Sequence, residues 1–448
     1  MNLSATLPLP ALRLAEAIIA AGGQAVLVGG AVRDHLLGLP PKDIDIEAYG
    51  LSVEVLQAAL ERAAKIHAVG KSFGVLKARI AGMDIDVSLP RREKKVGQGH
   101  RGFAIDYDPF MPYAEAASRR DFTINAIGVD FGGGEILDPW GGRRDLEAGL
   151  IRHVSDAFDE DPLRVLRACQ FSARFGFAIA PETLQKCRSL QGELATLSTE
   201  RIWEEFKKLL LKSPKPSLGI LGLDATGALV LFPELAALRG TQPAGDAWIQ
   251  NNRVLDACAA LCREDKWEEK DALPLLLASL CQALGKPGDE TPAKCLLGRI
   301  GCPPSLAERV LPLVLEHDEP GRLWSQNCIE PVADGVIRRL ALRVPIHAVC
   351  RLALADFRGR TAADAAGPCV AVDWLLARAA ALGVLEQAPK PLLQGRDAQA
   401  LGVKPGPAMG ALLKAAFEAQ LDGEFGDLPG AVAWAHAHTP SPSLELPR

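Results

Sequence analysis

Val28-Gly29-Gly30-Ala31-Val32-Arg33-Asp34, followed shortly by Lys42-Asp43-Ile44-Asp45-Ile46-Glu47, is the stretch that decides the fold. The apolar run Ala25–Val28 precedes it, so the order reads strand, glycine turn, helix over Val32–Leu37, then a second strand over Asp43–Glu47. Alternate side chains of a strand share a face, so Asp43 and Asp45 can reach one cation, with Glu47 pointing the same way. Such a pair suits Mg²⁺, which takes hard oxygen ligands and bridges a triphosphate. Asp86, in Asp84-Ile85-Asp86 on a later strand, is a candidate third carboxylate. Gly29 and Gly30 let the backbone approach a phosphate at a helix N-terminus, and Arg33 adds a cation. Taken singly, each half has an ordinary alternative: an acidic strand end, or a plain glycine turn.

Further strand-like segments are Val75–Ile80, Asp84–Leu89 and Asn125–Asp130, which together suggest a small mixed sheet. From about Asp159 onward the periodicity is helical, broken at Ser213–Ser217, Thr241–Gly245, Pro303–Pro304 and Pro389–Pro391. The fold class is therefore α+β, an N-terminal head with a mixed sheet followed by helices. At 448 residues the chain exceeds one ordinary core, and about 100–200 residues per domain gives three or four units. We divide it into a head (1–150), a helical neck (151–235), a helical body (236–365) and a helical tail (366–448), with residues 439–448 fraying.

Hydrophobic residues at 48% and charged residues at 23% describe a globular protein rather than a disordered one. No apolar run approaches the roughly 18 residues of a membrane span, and Met1–Pro10 lacks a signal-peptide pattern. The cytoplasm is the expected compartment. The ten cysteines, Cys169 to Cys369, form no CxxC pair or zinc-ligand spacing, as scattered buried thiols would. A net charge of −5 argues against a protein that coats nucleic acid, but leaves room for a local basic groove. Candidates are Arg91, Arg92, Lys94 and Lys95 through His100 and Arg101, and Lys207, Lys208, Lys212 and Lys215; each is also compatible with a solvated face.

Gly-Gly-Ala-Val-Arg-Asp followed by Asp43 and Asp45 resembles the signature of the polymerase-beta-like nucleotidyltransferases. More narrowly, it is similar to class II CCA-adding enzymes and bacterial poly(A) polymerases. Arg119-Arg120-Asp121-Phe122-Thr123-Ile124-Asn125-Ala126 resembles that family's second motif, in which Arg120 would meet phosphate while Asp121 and Asn125 recognise the ribose. The chemistry fits, because a 2′-OH both donates and accepts. Asp138-Pro139-Trp140-Gly141-Gly142, with Asp145 and Arg152, resembles the hinge between head and neck. Glu160-Asp161-Pro162-Leu163-Arg164-Val165-Leu166-Arg167 resembles the nucleotide-selecting motif, with Asp161, Arg164 and Arg167 expected as one polar stripe on a helix. The resemblance implies that Asp161 and Arg164 hydrogen-bond the Watson–Crick edge of C or A, so that protein serves as template. Gln170 departs from the family's frequent arginine, which touches one phosphate contact. Glu200-Arg201-Ile202 with Glu204 and Glu205 resembles a fifth motif that braces the neck.

Residues 245–320 are similar to the His-Asp phosphohydrolase domain that some relatives carry, but Gln250 and Gln282-Ala283 stand where its metal ligands would be, and His317 lacks those partners. Amides cannot replace imidazole and carboxylate ligands, so this domain is expected to be a scaffold. Gly395-Arg396-Asp397 and Lys404–Gly410 resemble the family's tRNA-contacting tail, with a helix from about Ala411 to Gln420; a plain packing unit reads equally well. The resemblance implies Mg²⁺-dependent addition of CCA, from CTP and ATP, to the 3′ end of tRNA. A poly(A) polymerase shares all five motifs, although such enzymes commonly carry a basic tail. Partial CC-adding or A-adding enzymes are also compatible. The length between Pro90 and Arg119 allows the flexible loop that relatives able to add A possess. A non-catalytic RNA-binding protein is the reading of a different class. The sequence does not fix an oligomeric state.

Overall fold

The computed structural model describes residues 7–41, 43–68, 75–95, 103–240, 247–286, 288–360 and 367–438, with side chains described at all of these except 67, 68, 93–95 and 103–105. The chain divides into two compact units, Met1–Pro233 and Glu234–Arg448.

The first unit opens with α1 (Leu9–Ala20), entered through Pro8 and Pro10. Its Ala11, Leu14, Ala15 and Ile18 recur at helical spacing and are buried on the sheet. Then come β1 (Gln24–Val28), α2 (Gly30–Leu36), β2 (Asp45–Tyr49), α3 (Val53–Glu61), β3 (Lys65–Ala68), β4 (Val75–Ile80) and β5 (Met83–Ser88). A hairpin of β6 (Arg91–Lys95) and β7 (Phe103–Tyr107) leads to α4 (Tyr113–Ser118), a 3₁₀ turn at Thr123–Asn125, β8 (Gly128–Asp130) and β9 (Ile136–Leu137). The main sheet runs β3-β4-β5-β2-β1-β8-β9. Its β2–β5 pair is parallel and its other pairs are antiparallel, so it is the mixed sheet the sequence predicts. Central β1 and β2 are buried almost throughout, whereas β4 alternates, with Leu76, Ala78 and Ile80 turned inward.

A tight corner follows. The Asp138 carboxylate accepts from the N–H groups of Gly142 (2.6 Å) and Arg143 (3.0 Å), capping α5 (Gly142–Ala148). Asp145, 1% exposed, accepts from Thr123 Oγ1 (2.7 Å) and Arg152 Nε (3.0 Å). A Cβ at Gly142 would stand 2.1 Å from the Thr123 carbonyl oxygen and 2.7 Å from Ile127 Cγ1. Backbone cannot retreat as a flexible side chain can. Gly142→Ala is therefore expected to cost about 1–3 kcal/mol of stability, read as a lower urea midpoint; an unchanged midpoint would show that the corner yields.

Short parallel β10 (Leu150–Ile151) and β11 (Ala178–Ile179) flank α6 (Leu163–Phe175), a small exception to an all-helical neck. The helices α7 (Pro181–Ser189), α8 (Thr199–Lys212) and α9 (Ser217–Ala225) complete the unit. Every regular element among the second unit's described residues is a helix, joined by turns and irregular segments. Gln250 lies on Ala247–Glu264, Gln282 directly after Glu269–Cys281, and His317 directly after Pro304–Glu316, with His317 Nδ1 2.7 Å from the Val314 carbonyl oxygen. All ten cysteines are free; six are buried, while Cys295 and Cys328 are exposed. No helix among the described residues is long and apolar enough to cross a membrane.

Several boundaries move. Asn125 belongs to the 3₁₀ turn rather than a strand, because pairing of β8 with β1 begins only at Gly128. The tail helix starts at Pro407, not near Ala411, since proline's fixed φ and missing N–H suit the first helical turn. The predicted loop between Pro90 and Arg119 carries β6, β7 and α4, with residues 96–102 outside the described ones. His100, Arg101, the side chains of Lys94 and Lys95, Thr241–Gly245 and residues 439–448 also lie outside them.

Candidate active site

The pairing of β1 with β2 ends at Val28 opposite Asp45, because the chain turns away at Gly29, where φ is +73°. That turn sets where β2 can start. Asp43, expected inside the strand, instead precedes it and is exposed: no β1 residue remains to pair with it. Strand alternation therefore relates Asp45 to Glu47 rather than Asp43 to Asp45. Parallel pairing sets Asp45 beside Asp86 and Glu47 beside Ser88. Asp45, Glu47, Asp86 and Ser88 line one cavity of about 300 Å³ together with Arg119 and Arg120.

Burial, the largest cause, and then Asp86 push the Asp45 pKa up; Arg120 pulls it down, and Asp43 and Glu47 add smaller upward pushes. This carboxylate is thus held among other carboxylates that the protein only partly neutralises. A divalent cation fits here on two observations. The donors are hard oxygens, and a Cβ on Gly29 would stand 3.5 Å from Asp45 Oδ2 and 3.4 Å from Arg120 Nη1, so the glycine keeps the space before them open. Arg120 Nε, buried without a hydrogen-bond partner among the described residues, speaks instead for an anion such as the phosphate that would accompany the cation. No group of three or more His, Cys, Asp or Glu among the described residues forms a metal cage. Mg²⁺ does not require one, since it is usually held by one or two carboxylates plus substrate phosphates.

Behind the glycine turn lies a second cluster, buried rather than open. Arg33, 4% exposed, donates from Nε and Nη2 to Asp34 Oδ1 (2.9 and 2.6 Å) and from Nη1 to Asn125 Oδ1 (2.6 Å). Its guanidinium also lies 5.2 and 4.7 Å from the ring centroids of Phe171 and Phe175. Asn125 Nδ2 donates to Asp121 Oδ1 (2.9 Å), and Asp121 Oδ2 accepts from Arg167 Nε and Nη2 (2.8 and 2.6 Å). Burial alone would raise the Asp121 pKa. The Arg167 charge, together with hydrogen bonds from Asn125, Arg167 and the Phe122 N–H, carries it below the usual carboxylate range instead. Arg33, Asp121 and Asn125 thus spend their polar groups on one another, while Arg120, with Arg119, reaches the carboxylate cavity.

The expected polar stripe of Asp161, Arg164 and Arg167 is corrected: α6 begins at Leu163, and Asp161 precedes it with extended backbone (φ −136°). Pro162 explains this, since the residue before a proline is driven out of the helical region. The Asp161 carboxylate accepts from the Leu163 N–H (3.1 Å) and from Arg201 Nη2 (2.7 Å). Arg164 donates to the carbonyls of Ala157 (2.5 Å) and Arg119 (2.7 Å). Gln170 is buried, and its amide nitrogen has no partner among the described residues.

Two features escape the sequence reading. Tyr49 Oη donates to Glu47 Oε2 (2.8 Å), which faces Arg120 Nη2 at 3.6 Å; the signal was available, as residues two apart on a strand share a face. Arg174 Nη2 also reaches Asp34 Oδ2 (3.3 Å), a link 140 positions apart in sequence that only the fold creates.

Residues 25–152 match the family described as the poly A polymerase head domain, and residues 176–238 match the probable RNA and SrmB-binding site of polymerase A. The multifunctional CCA protein of Stenotrophomonas maltophilia (strain K279a) is 38% identical over 364 residues, covering 75% of this chain and 86% of that protein. This chain belongs to the family of the multifunctional CCA proteins. The corresponding protein of Xanthomonas campestris pv. campestris (strain B100) is 43% identical over 251 residues, 53% of this chain; the match spans only 59% of that relative's length. Among solved structures, the Bacillus stearothermophilus CCA-adding enzyme in complex with CTP has a TM-score of 0.66 at 26% identity, covering 96% of this chain and 98% of that one. The Thermotoga maritima CCA-adding enzyme complexed with tRNA shares the fold, with a TM-score of 0.63 at 21% identity and coverage of 95% and 94%.

Proposed function

We propose that this protein adds CCA, from CTP and ATP, to the 3′ end of tRNA in the cytoplasm and releases pyrophosphate. The observation that carries the reading is the convergence of Asp45, Glu47, Asp86 and Arg120 on one cavity, in a chain that belongs to the family of the multifunctional CCA proteins. Asp43 and Asp45 would hold Mg²⁺, with Asp86 as a third carboxylate beside them; bound there, the ion would polarise the triphosphate and lower the pKa of the attacking 3′-OH. The backbone N–H groups at Gly29 and Gly30 receive phosphate oxygens, and Arg120 neutralises their charge. Arg33, Asp121, Asn125 and Arg167 fix that turn from beneath. An ionised carboxylate has about four acceptor sites, so Asp161, with two donors already bound, keeps room for the exocyclic amino group that C and A share. Arg164 has N–H groups beyond the two given to carbonyls and can donate to base acceptors. We assign the helical stretch 151–235 as the neck that carries this selection, 236–365 as a scaffold and 366–448 as a tRNA-contacting tail.

The matched head family's description favours poly(A) addition as the second reading. One experiment separates the two. Purified protein is given Mg²⁺, each labelled triphosphate, and tRNA transcripts lacking CCA, CA or only the final A. The expected result is stepwise incorporation that stops at CCA on all three. Long A tracts on any RNA would establish the polymerase, and absence of incorporation from every triphosphate would leave an RNA-binding protein.

A further inference from the structure

We propose that Glu47 is a positioning residue that holds the Arg120 guanidinium away from Asp45, leaving the Asp45 carboxylate free for a divalent cation. The inference rests on the reading of Asp45 as a metal ligand. Asp45 and Glu47 lie two apart on β2, on one wall of the cavity, and Arg120 faces both. Arg120 Nη1 and Asp45 Oδ2 look at each other across the missing side chain of Gly29, at 3.4 and 3.5 Å from its Cβ position. Yet among the described residues the carboxylate paired with Arg120 is Glu47, Nη2 to Oε2 at 3.6 Å.

What biases the arginine is a fixed acceptor. Glu47 Oε2 takes the Tyr49 hydroxyl hydrogen at 2.8 Å, and the Tyr49 ring packs against Tyr113 with centroids 6.3 Å apart. Tyr113 is itself anchored, its hydroxyl donating to the Ala126 carbonyl at 3.0 Å. Glu47 has a 10% exposed side chain and cannot drift to solvent without losing these contacts. Among the described residues Arg120 is left with Nε unpartnered and a long, loose ion pair rather than a bidentate one, so its donors stay available to an incoming anion. Without the Glu47 charge, Asp45 becomes the carboxylate that Arg120 faces across Gly29. An arginine on Asp45 and a cation on Asp45 are alternatives.

The test is binding of Mn²⁺ alone to the full-length, nucleotide-free protein, followed by the paramagnetic resonance signal of the free ion. Variants are Glu47→Gln, Tyr49→Phe, Asp45→Asn, Arg120→Met and the Glu47→Gln/Arg120→Met double variant, each checked by thermal melting. Groups that orient metal ligands typically change affinity by about 10–100-fold, and Glu47→Gln is expected to weaken Mn²⁺ by roughly tenfold. Tyr49→Phe should move affinity the same way by less, and it decides the matter should Glu47→Gln fail to fold. In the Arg120→Met background the Glu47→Gln effect should vanish, because its intermediary is gone. A weakening that persists without Arg120 would mean Glu47 acts by its own charge, and would overturn the proposal. So would unchanged affinity in Glu47→Gln and Tyr49→Phe when Asp45→Asn loses the ion. Wild-type Mn²⁺ binding by Asp45→Asn would instead remove the metal reading of Asp45 itself, and this inference with it.

Discussion

Asp45→Asn is expected to lower nucleotidyl transfer by ~10³-fold or more, on the order of 4 kcal/mol of lost transition-state stabilisation, while leaving the protein as stable or slightly more so. The first half follows from position. Asp45 is the strand residue that meets Asp86 in register and stands opposite Arg120 across the Gly29 turn, so it is the carboxylate best placed to share a cation with a triphosphate. Asparagine keeps the shape but removes the charge that, on the proposed function, binds the metal. The second half follows from linkage. Burial and then Asp86 raise the Asp45 pKa, so the folded state holds this proton more tightly than the unfolded chain does. A raised carboxyl pKa makes the ionised group a liability to folding, and its contribution becomes less favourable as pH rises through that range. Removing the charge relieves repulsion from Asp86, Asp43 and Glu47, a familiar exchange of stability against function. Single-turnover incorporation of CTP and paired urea titrations at neutral pH measure both halves. Transfer within tenfold of wild type would exclude Asp45 from the chemistry; a large loss of stability would show that its charge is structural.

How much of this was legible beforehand differs by element. β4 appears residue for residue as predicted, because its apolar residues alternate and turns bound it. The Gly-Gly turn and the carboxylates after it were readable because their spacing is local. The strand assignment of Asp43 is not legible because a strand's start depends on where its partner ends, and β1 ends at a glycine whose conformation the alternation pattern does not encode. For Asp161 two signals in the sequence conflict, helical spacing with Arg164 and the steric effect of Pro162, and the steric effect prevails. The division of the polar residues is less legible. Sequence order made Arg33, Arg120, Asp121 and Asn125 look like one set of ligand contacts. In the fold, Arg120 opens on the carboxylate cavity while the others satisfy one another in the interior, and which arginine does which is decided by packing against Phe171 and Phe175, far along the chain.

Arg167→Ala is expected to cost about 3–5 kcal/mol of stability, the range for breaking a buried pair from one side. Two carboxylates depend on this arginine. Asp121, 9% exposed, takes two of its hydrogen bonds from Arg167, and Glu205, 4% exposed, has Oε1 3.7 Å from Arg167 Nη1 and Oε2 without a partner among the described residues. Truncation leaves Asp121 with Asn125 and the Phe122 N–H, and Glu205 with Lys208. The pH dependence separates lost charge pairing from lost packing. Asp121 in the wild type titrates below its unfolded value of about 3.9, so the pair's contribution is fully present above that value and is lost as pH falls through the folded one. In Arg167→Ala the largest force holding the pKa down is gone and burial drives it up, so protonation at mildly acidic pH relieves the stranded charge. The deficit against wild type should therefore be largest near neutrality and shrink toward pH 4. Arg167→Lys should fall between the two, since one ammonium cannot reproduce the two-point contact to Asp121 Oδ2. Urea denaturation of the three proteins across that pH range is the measurement. A deficit below about 1 kcal/mol would mean that solvent, reaching Arg167 through its 31% exposed side chain, already screens the pair. A deficit that is large but constant with pH would assign the loss to the contact between Arg167 and the Phe171 ring instead.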